Sequence, residues 1–465
     1  LQGKRVTLMG VGTFGGGIGA LRFLLDQGAH VTVTDLRPAE ELGLSPSEWE
    51  SCGRVTWRLG GHDQRDFHGA DLVVVNPAVP TDSPYLQIAR RHGVPLTTEL
   101  ALFWQNNRAR VIAVTGTNGK STTAAMIHAI LRAAGWTAWL GGNIGRSLLT
   151  ELPDIEHHHW VVLEVSSFQL EHLDRLRARP DVAVVTNFSP NHLDRHGTVD
   201  AYRCAKQALL RWQTETDVSV LNQDDPDVAG WPTAGRRVWF GLFDTGREGV
   251  FVDQDSGLAV ARWAGQEHTL ALGQWLALPG RHNLQNAAAA VGAARAAGVP
   301  IEAVRLGLQS FGGLPHRLQF VAEVDGRRFY NDSLATTPES AIAALQAFPP
   351  SQPIVLLAGG SDKGVDLGGF AEAIVRHAKA VALMGQTGEP LARLMDACRA
   401  SPPVRRAVCS HFEQAFQWAV QRSQPGDVVL LSPGCASYDW FRSFAERGER
   451  FAELVRRLER RAARR

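Results

Sequence analysis

The 465-residue sequence predicts an α/β fold of doubly wound, mostly parallel sheets. Three observations carry this prediction. Short apolar runs rich in β-branched residues recur along the chain, each run ends in glycine or polar residues, and a helix-prone stretch usually follows. In such sheets ligands bind at the carboxyl ends of the strands, so the polar tails of the apolar runs are where chemistry is expected. The length indicates two or three domains.

The first strand–turn–helix unit lies within residues 5–35. Its turn, GVGTFG at 10–15, matches the G-x-G-x-x-G pattern of dinucleotide sites, with Asp35 about 20 residues further on. The pattern is weak by itself, because any tight strand–helix turn favours glycine. The turn is equally compatible with another nucleotide or a diphosphate, so a dehydrogenase is one of the functions left open.

The second unit is VIAVTGTNGKSTTAAMI at 111–127. A buried strand, a glycine-bracketed loop and a helix start point backbone N–H groups and a helix dipole at one spot. Lys120 adds a charge, and the Ser121 hydroxyl can reach a phosphate-bound Mg²⁺. The strict G-x-x-x-x-G-K-[ST] pattern needs glycine where this chain has Val114. We predict that the loop binds nucleotide phosphates; the alternative is a glycine turn with a surface lysine.

Polar groups follow the next apolar runs. Glu164 lies at the tip of the apolar strand predicted in HWVVLEVSSF. A carboxylate near a phosphate loop is the usual second anchor for Mg²⁺. His192 follows the next run, where a structural histidine is the more common alternative. Lys206 lies on an amphipathic helix, where snorkelling is the simpler interpretation. The run His157–His159 is interpreted as a solvated loop.

The C-terminal part offers further candidates. Asn283 and Asn286 open an Ala-rich helix, as caps or as contacts to a base. An arginine at the apparent domain junction can stabilise a transferring phosphoryl group. Thr336 or Thr337 starts a helix with Pro338. The remaining candidates follow strands or lie at the junction: His316, Arg317, Asp332, Lys363, Ser437 and Phe444.

Composition narrows the classes of function. A net charge of +1 gives no argument for nucleic-acid binding. The sequence has no apolar run of about 18 residues, so no membrane insertion is expected, and no signal peptide is expected at its start. None of the five cysteines forms a C-x-x-C pair, which is consistent with a reducing cytoplasm.

Taken together, the motifs resemble the Mur ligase family, most closely its MurD branch. TGTNGKST, GGNIG, EVSSFQLE, NHLDRHG, YRCAK, RHNLQN, LPHR, NDSLAT and SPGCASYD occur in family order over nearly the whole chain. TGTNGK and the HN-x-x-N element are shared with folylpolyglutamate synthase, whereas SSFQLE and the C-terminal motifs are typical of the MurD branch.

The resemblance implies three domains. A Rossmann-like domain at 1–98 would bind the UDP end of the substrate, a P-loop ATPase-like domain at 99–313 would bind ATP, and a Rossmann-like domain at 314–465 would bind the amino acid. The implied enzyme is a cytoplasmic, monomeric, ATP-dependent ligase. It would join glutamate, expected to be D-glutamate, to UDP-N-acetylmuramoyl-L-alanine through an acyl phosphate, in peptidoglycan precursor synthesis.

The resemblance also implies roles for individual residues. The UDP-substrate set is Gly12, Thr13, Phe14, Asp35, Arg37 and Asn143. The ATP set is Gly116, Thr117, Asn118, Gly119, Lys120, Ser121, Thr122, Asn283, Asn286, Arg317 and Asp332. Two Mg²⁺ ions would be held by Ser121, Glu164, His192 and a CO₂-derived carbamate on Lys206. The catalytic set is Lys120, Glu164, His192, Lys206 and His316. The amino-acid set is Thr336, Lys363, Ser437 and Phe444.

The chain departs from the MurD pattern near the expected amino-acid site. Leu334 stands where many members have lysine, and Thr337 where many have asparagine. Because Leu334 removes a cation there, ligation of L-glutamate or another amino acid stays open as an alternative. A ligase similar to folylpolyglutamate synthase and a non-catalytic nucleotide-binding protein are further alternatives.

Overall fold

A computed structural model describes residues 1–12, 15–144, 147–278, 280–398 and 403–462, except for the side chains of Glu50, Ser51, Asp194 and Arg281. The chain divides into two compact units. The first contains residues 1–271 and 285–308, and the second contains residues 272–284 and 309–465. None of the described helices combines the length and apolar content that a membrane crossing needs.

The first sheet of the first unit has five parallel strands in the order β3-β2-β1-β4-β5. Its strands are β1 (Arg5–Met9), β2 (His30–Asp35), β3 (Val55–Leu59), β4 (Leu72–Val75) and β5 (Leu96–Thr97). Its helices are α1 (Gly16–Asp26), α2 (Ala39–Leu42), α3 (Arg65–His68), α4 (Pro84–Arg91) and α5 (Glu99–Asn106). The glycine turn predicted at 10–15 lies between β1 and α1.

The second sheet of this unit has nine strands in the order β14-β13-β12-β11-β10-β9-β6-β8-β7. It is parallel from β7 to β12 and antiparallel at β13 and β14. The strands are β6 (Arg110–Thr115), β7 (Ala138–Gly142), β8 (Trp160–Glu164), β9 (Val182–Val185), β10 (Val218–Asn222), β11 (Arg236–Gly241), β12 (Gly249–Val252), β13 (Ala259–Trp263) and β14 (Gln266–Leu270).

The helices of this chain region are α6 (Lys120–Ala133), α7 (Ser167–Arg175), α8 (Leu193–His196), α9 (Val199–Arg211), α10 (Pro226–Ala229), α11 (Leu272–Trp275), α12 (Arg281–Ala297) and α13 (Ile301–Ser310). Strand order explains where the site forms. Because β6 pairs with both β8 and β9, the carboxyl ends of these three strands meet at one edge of the sheet. The β8 strand is buried along its whole length, as expected for a parallel strand covered on both faces.

The second unit contains a six-stranded sheet in the order β15-β16-β20-β17-β18-β19, parallel except between β15 and β16. Its strands are β15 (Gln319–Val324), β16 (Arg327–Asn331), β17 (Ile354–Gly359), β18 (Ala378–Met384), β19 (Arg405–Val408) and β20 (Val428–Leu431). The helices that follow in the chain are α14 (Pro338–Gln346), α15 (Gly368–His377), α16 (Gly388–Ala397), α17 (Phe412–Arg422) and α18 (Phe444–Ala462).

Three mostly parallel sheets with intervening helices confirm the predicted α/β class. Residues 272–284, which the sequence grouped with 99–313, pack with the second unit. The domain boundaries at 98/99 and 313/314 stay predictions.

Candidate active site

The loop between β6 and α6, residues 116–119, packs closely against other residues at two glycines. Gly116 has φ +144° and Gly119 has φ +81°. A Cβ atom would lie 1.9 Å from Thr186 Oγ1 at the first position, and 2.3 Å from Asn286 Oδ1 at the second. Val114, the departure from the strict phosphate-loop pattern, is a fully buried strand residue. The loop therefore forms without a glycine there.

Residues just after β9 hold this loop in place. Thr186 Oγ1 donates a hydrogen bond to the Asn118 carbonyl at 2.6 Å. Asn118 N donates to Asn187 Oδ1 at 2.8 Å, and Thr117 N donates to the Asn187 carbonyl at 2.9 Å. No role was predicted from the sequence for Thr186 or Asn187. Their position directly after a buried strand is the sequence feature that could have indicated a role.

The lysine and hydroxyl groups predicted for phosphate and Mg²⁺ lie at the start of α6. Gly119 is the N-cap residue, and Lys120 is the first helical residue. Lys120 Nζ donates to the Thr117 carbonyl at 2.8 Å, so its amine lies over the loop. Ser121 and Thr122 are in the first helical turn, where backbone N–H groups favour an anion.

Glu164, at the end of β8, is 2% exposed. Its Oε1 accepts a hydrogen bond from Asn143 Nδ2 at 3.0 Å, and its carbonyl accepts one from Asn143 N at 2.7 Å. Its Oε2 is buried and has no hydrogen-bond partner among the described residues. A buried carboxylate oxygen without a partner is costly, and a bound cation removes that cost. This donor therefore fits the Mg²⁺ site predicted for Glu164.

Lys206, on α9, is 2% exposed, so the snorkelling interpretation is wrong. Its Nζ donates to the Gly116 carbonyl at 2.6 Å and lies 4.8 Å from the centroid of the Tyr202 ring. Burial, with a smaller effect of the nearby Lys120 charge, lowers the pKa of Lys206 to about 7, and the Glu164 charge opposes the shift. The amine is thus directly behind the loop, and at neutral pH a large fraction of it is uncharged.

His192 is exposed and has a left-handed backbone conformation, φ +51°. Its ring centroid lies 5.2 Å from that of Phe168 and 6.1 Å from that of Tyr202. Tyr202 Oη lies 3.3 Å from Thr117 Oγ1. The Tyr202 side chain therefore contacts His192, Lys206 and the loop. His192 and Lys206, the two predicted ligands of the second metal, thus pack against the same aromatic residue.

The predicted UDP-substrate residues lie around the glycine turn of the first sheet. Asp35 Oδ2 accepts from Val11 N and Oδ1 accepts from Arg37 N, both at 3.0 Å. Asp35, Arg37 and Gly12 line a cavity of about 600 Å³. Gly12 and Asn143 also line a second cavity, of about 360 Å³. Thr13 and Phe14 lie outside the described residues.

The predicted ATP residues are divided between the two units. Asn286 belongs to the first, where its Oδ1 accepts from Thr123 Oγ1 at 3.4 Å, beside Gly119. Asn283, Arg317 and Asp332 belong to the second unit. Burial raises the pKa of Asp332 to about 7, although Ser432 Oγ and Leu318 N both donate hydrogen bonds to its carboxyl group.

His316 belongs to the second unit and has φ +63°. Its Nδ1 lies 3.1 Å from Asn331 Nδ2, and its ring packs edge-on against Phe444 at 6.0 Å between centroids. Burial lowers the pKa of His316, so the ring favours its neutral form.

A cavity of about 210 Å³ in the second unit is lined by Thr336, Lys363 and Cys435, among others. Thr337, not Thr336, is the N-cap of α14, because its Oγ1 accepts from Ser340 N at 3.4 Å. Thr336 is therefore available to the cavity. The side chains of Ser437 and Phe444, the other two predicted amino-acid contacts, are outside the described lining.

Arg447, on α18, is the main residue that sequence reasoning missed. It is 1% exposed, and its guanidinium donates to Ser333 Oγ and to the carbonyls of Ser333, Cys435 and Ala436 at 2.9–3.1 Å. Burial lowers the pKa of Arg447 to about 10. The residue joins two loops that border the 210 Å³ cavity, but its charge-rich helix gives no sequence signal that this arginine is buried.

The histidine run agrees only in part with its interpretation as a solvated loop, because His157 and His158 are exposed whereas His159 is buried. Ligand atoms of Glu156, His158 and His159 lie within 4.8 Å of one another, and His159 is buried. His159 Nδ1, however, accepts hydrogen bonds from Glu156 N at 3.1 Å and Trp139 Nε1 at 3.3 Å. This ring therefore has a structural role.

Family models match three successive parts of the chain. The Mur ligase MurD-like N-terminal domain matches residues 4–98, the Mur ligase middle domain matches 114–294, and the Mur ligase glutamate ligase domain matches 316–435. The chain belongs to the Mur ligase family. The family expected from the motifs is confirmed, and with it the class of enzyme, a ligase.

Relatives of high coverage agree. A protein of Roseiflexus sp. (strain RS-1) named UDP-N-acetylmuramoylalanine--D-glutamate ligase is 41% identical over 98% of this chain and 99% of its own length. A protein of the same name from Pelotomaculum thermopropionicum is 40% identical over 97% of both chains.

Solved structures share the fold at lower identity. UDP-N-acetylmuramate-alanine ligase MurC from Thermotoga maritima aligns with a TM-score of 0.60 and 19% identity over 98% of this chain and 99% of that chain. UDP-N-acetylmuramoyl-L-alanyl-D-glutamate--2,6-diaminopimelate ligase aligns with a TM-score of 0.58 and 21% identity over 80% of this chain and 88% of that chain. The three-domain fold of the family is thereby confirmed.

Proposed function

We propose that the protein joins glutamate, with D-glutamate as the expected amino acid, to UDP-N-acetylmuramoyl-L-alanine and converts ATP to ADP and phosphate. One observation carries the proposal. The glycine loop stands directly beside a buried carboxylate with an unpartnered oxygen, Glu164, and a buried amine, Lys206. The names of relatives that are about 40% identical over nearly their full length support the choice of substrates.

The chemistry explains why ATP is needed. A carboxylate is a poor acyl donor, because its oxygen does not leave. Transfer of the ATP γ-phosphoryl group to the carboxylate of UDP-N-acetylmuramoyl-L-alanine gives an acyl phosphate. The glutamate amine then attacks the acyl carbon, a proton is lost from nitrogen, and phosphate leaves with the C–O bonding pair. Lys120 is proposed to hold the ATP phosphates, together with the loop residues Gly116 to Thr122.

Two Mg²⁺ ions are proposed as cofactors. Ser121 and Glu164 would hold one, and His192 and a carbamylated Lys206 the other. Bound there, the ions would neutralise the like charges of triphosphate and carboxylate that the reaction brings together. Burial of Glu164 Oε2 without a partner supports this assignment.

Carbamylation of Lys206 is part of the proposal. The neutral amine would attack the carbon of CO₂, and loss of one proton to solvent would leave an N-carboxylate. The change converts a buried cation to an anion, which suits a metal ligand next to a phosphate loop. The burial of Lys206 and its lowered pKa support the step, since only the neutral amine reacts with CO₂.

The other predicted contacts keep their roles in this proposal. Gly12, Asp35, Arg37 and Asn143, with Thr13 and Phe14, would bind the UDP-substrate. Asn283, Asn286, Arg317 and Asp332 would bind ATP, and His316 would complete the catalytic set. Thr336, Lys363, Ser437 and Phe444 would bind the amino acid. The function is proposed for a monomer in the cytoplasm, with domains at 1–98, 99–313 and 314–465 and no nucleic-acid partner.

The deciding experiment measures phosphate release from ATP and Mg²⁺ with UDP-N-acetylmuramoyl-L-alanine in the presence of D-glutamate, L-glutamate or neither. Release with D-glutamate alone is expected. Release with L-glutamate alone would keep the ligase chemistry and change the specificity, an outcome that Leu334 keeps open. Absence of release with either amino acid would refute the proposed substrates.

A further inference from the structure

The cavity of about 360 Å³ beside the glycine turn contains a basic residue that the family resemblance did not assign. Gly10 and Gly12 line it from the first sheet, Asn143 lines it from the second, and so does Arg195 of α8. The ligand assigned to this arginine below rests on the proposed function, which supplies a UDP-linked substrate.

Arg195 is fixed by contacts on two sides. One guanidinium nitrogen, Nη2, donates to the Val79 carbonyl at 3.1 Å. The guanidinium carbon lies 4.3 Å from the centroid of the Phe168 ring, a cation–π contact. The side chain is therefore held in one orientation, and a ligand that meets it pays little of the entropy of ordering it.

The orientation leaves a buried donor of the guanidinium without a partner in the part of the chain that the structure describes. Arg195 Nε is buried and has no hydrogen-bond partner among the described residues. A buried charged N–H without an acceptor is costly, so a fixed arginine with such a donor indicates an acceptor that arrives with a ligand. Arg195 also forms no ion pair with a described carboxylate. Burial raises the pKa of Glu171, and the charge of Arg195 opposes this shift. Glu171 Oε1 lies 3.3 Å from His196 Nδ1.

The cavity favours an anion at this point. Among the described residues that line it, Arg195 is the one basic side chain and Glu99 is the one acidic side chain. Burial raises the pKa of Glu99, and Ser147 Oγ donates to its carboxyl group at 2.5 Å. The positive charge of Arg195 is thus the main fixed charge that a ligand meets.

We propose that Arg195 binds the diphosphate of the UDP-linked substrate, with Nε–H donating to a phosphate oxygen. The substrate also carries a terminal carboxylate, but the phosphate-loop residues at which that group reacts are not in the described lining of this cavity. The glycine turn and Arg195 face the same space, and guanidinium–phosphate hydrogen bonds are among the stronger charge-assisted ones.

Calorimetric titration of the full chain with UDP and with uridine tests the proposal, because the two ligands differ only in the diphosphate. Arg195→Gln is expected to weaken UDP binding by about tenfold or more, as for the loss of a charge-assisted hydrogen bond, and to leave uridine binding unchanged. The matched control is Arg203→Gln. Arg203 also stacks on a phenylalanine, Phe188, but it pairs with Asp227 and does not line the cavity.

Equal UDP affinity in wild type and Arg195→Gln would overturn the proposal. Weaker binding of UDP-N-acetylmuramoyl-L-alanine with unchanged UDP binding would also overturn it, by assigning Arg195 to the carboxylate. If Arg195→Gln does not fold, Arg195→Lys decides in the same way: a loss confined to UDP supports the proposal, and unchanged UDP affinity rejects it. A wild-type protein that binds neither UDP nor the UDP-linked substrate would instead refute the proposed function.

Discussion

The most unusual residue of the site is Lys206, a lysine buried almost completely next to another lysine and a carboxylate. Burial of a charged amine is expensive unless the charge is removed or compensated. The amine donates a short hydrogen bond to the Gly116 carbonyl, so this unfavourable burial occurs directly behind the phosphate loop. A covalent change that replaces the cation by an anion able to bind a metal would relieve this cost.

Lys206→Ala should lower turnover by about a thousandfold, in line with loss of a group that stabilises transition-state charge. Phosphate release measures it, and a short carboxylic acid such as acetate should restore part of the activity by replacing the carbamate. With ¹³C-bicarbonate, wild type should also show a carbamate carbon signal that the variant lacks. Lys4→Ala, at an exposed lysine paired with Asp71, is the control. Near-normal turnover of Lys206→Ala would contradict the carbamate.

Asp332 leads to a prediction about stability and pH. Its pKa is about 7 in the folded chain and about 4 when unfolded. Between these values the folded state holds the extra proton, so this contribution to stability is complete below about pH 4 and is lost as pH rises through 7. The loss is on the order of 4 kcal/mol, for about 3 pKa units at about 1.4 kcal/mol each.

Asp332→Asn stays neutral and should therefore lose less stability between pH 5 and pH 8 than wild type does. Urea unfolding at the two values measures the difference. Asp396→Asn, at an exposed carboxylate paired with Arg406, should behave as wild type. Equal pH dependence in Asp332→Asn and wild type would show that Asp332 titrates normally.

Residues in local motifs were predictable, and residues defined by packing were not. Lys120 and Glu164 are recognisable because a strand, a loop and a helix lie next to each other in the chain. Arg447 contacts Ser333, which is more than a hundred residues away in the chain. Thr186 follows one strand and donates a hydrogen bond to the loop that follows the neighbouring strand. Arg195 shows the same limit, because its partners Val79 and Phe168 lie in separate elements.

At the scale of elements, a glycine with a left-handed backbone lies at each end of helix α6. Gly119 needs its left-handed backbone and also needs space beside Asn286. Gly135, at the other end of α6, has nearly the same φ, +78°, and nothing within 4 Å of an added Cβ. Substitution of these two glycines therefore distinguishes the effect of backbone strain, which both share, from the effect of a steric clash, which only Gly119 has.

Gly119→Ala and Gly135→Ala should both lose about 1–2 kcal/mol of unfolding free energy from left-handed strain. Only Gly119→Ala should also raise KM for ATP, by about tenfold or more, because the added methyl group displaces Asn286 from the loop. Urea unfolding and steady-state kinetics measure the two effects. An unchanged KM for ATP in Gly119→Ala would separate this loop from nucleotide binding.

Element type was more predictable than element ends. The alternation of apolar runs and glycine turns indicated the parallel strands, and the three strands β6, β8 and β9 do end together. The start of α14 was left between Thr336 and Thr337, because both hydroxyls can cap a helix. In the structure Thr337 is the N-cap residue of α14, because its hydroxyl accepts the hydrogen bond from Ser340 N.

At the scale of the whole molecule, the predicted tasks are divided between the compact units. The residues predicted for the UDP-substrate and most of those predicted for ATP belong to the first unit, whereas the four predicted for the amino acid belong to the second. Sequence motifs assigned these tasks to stretches of chain. The placement of residues 272–284 with the second unit depends on packing that no motif records.

Lys363→Ala should raise KM for glutamate by about tenfold and leave the affinity for a non-hydrolysable ATP analogue unchanged. The exposed Lys363 lines the 210 Å³ cavity, and its charge suits a dicarboxylic ligand. Kinetics and calorimetry measure the two values. Arg393→Ala, at an exposed cation of α16 outside that lining, is the control. An unaltered glutamate dependence would remove Lys363 from the site.

Asn143 and Glu164 are joined twice, through the side-chain amide and the backbone N–H. Asn143 lines the cavity next to the glycine turn, while Glu164 is the carboxylate expected to face the nucleotide. A ligand that hydrogen-bonds the Asn143 amide and removes it from Glu164 would change the hydrogen bonding of the carboxylate at the site of the other ligand. Such a ligand would couple the binding of the two proposed substrates, and thermodynamic reciprocity would then require each to alter the affinity of the other by the same factor.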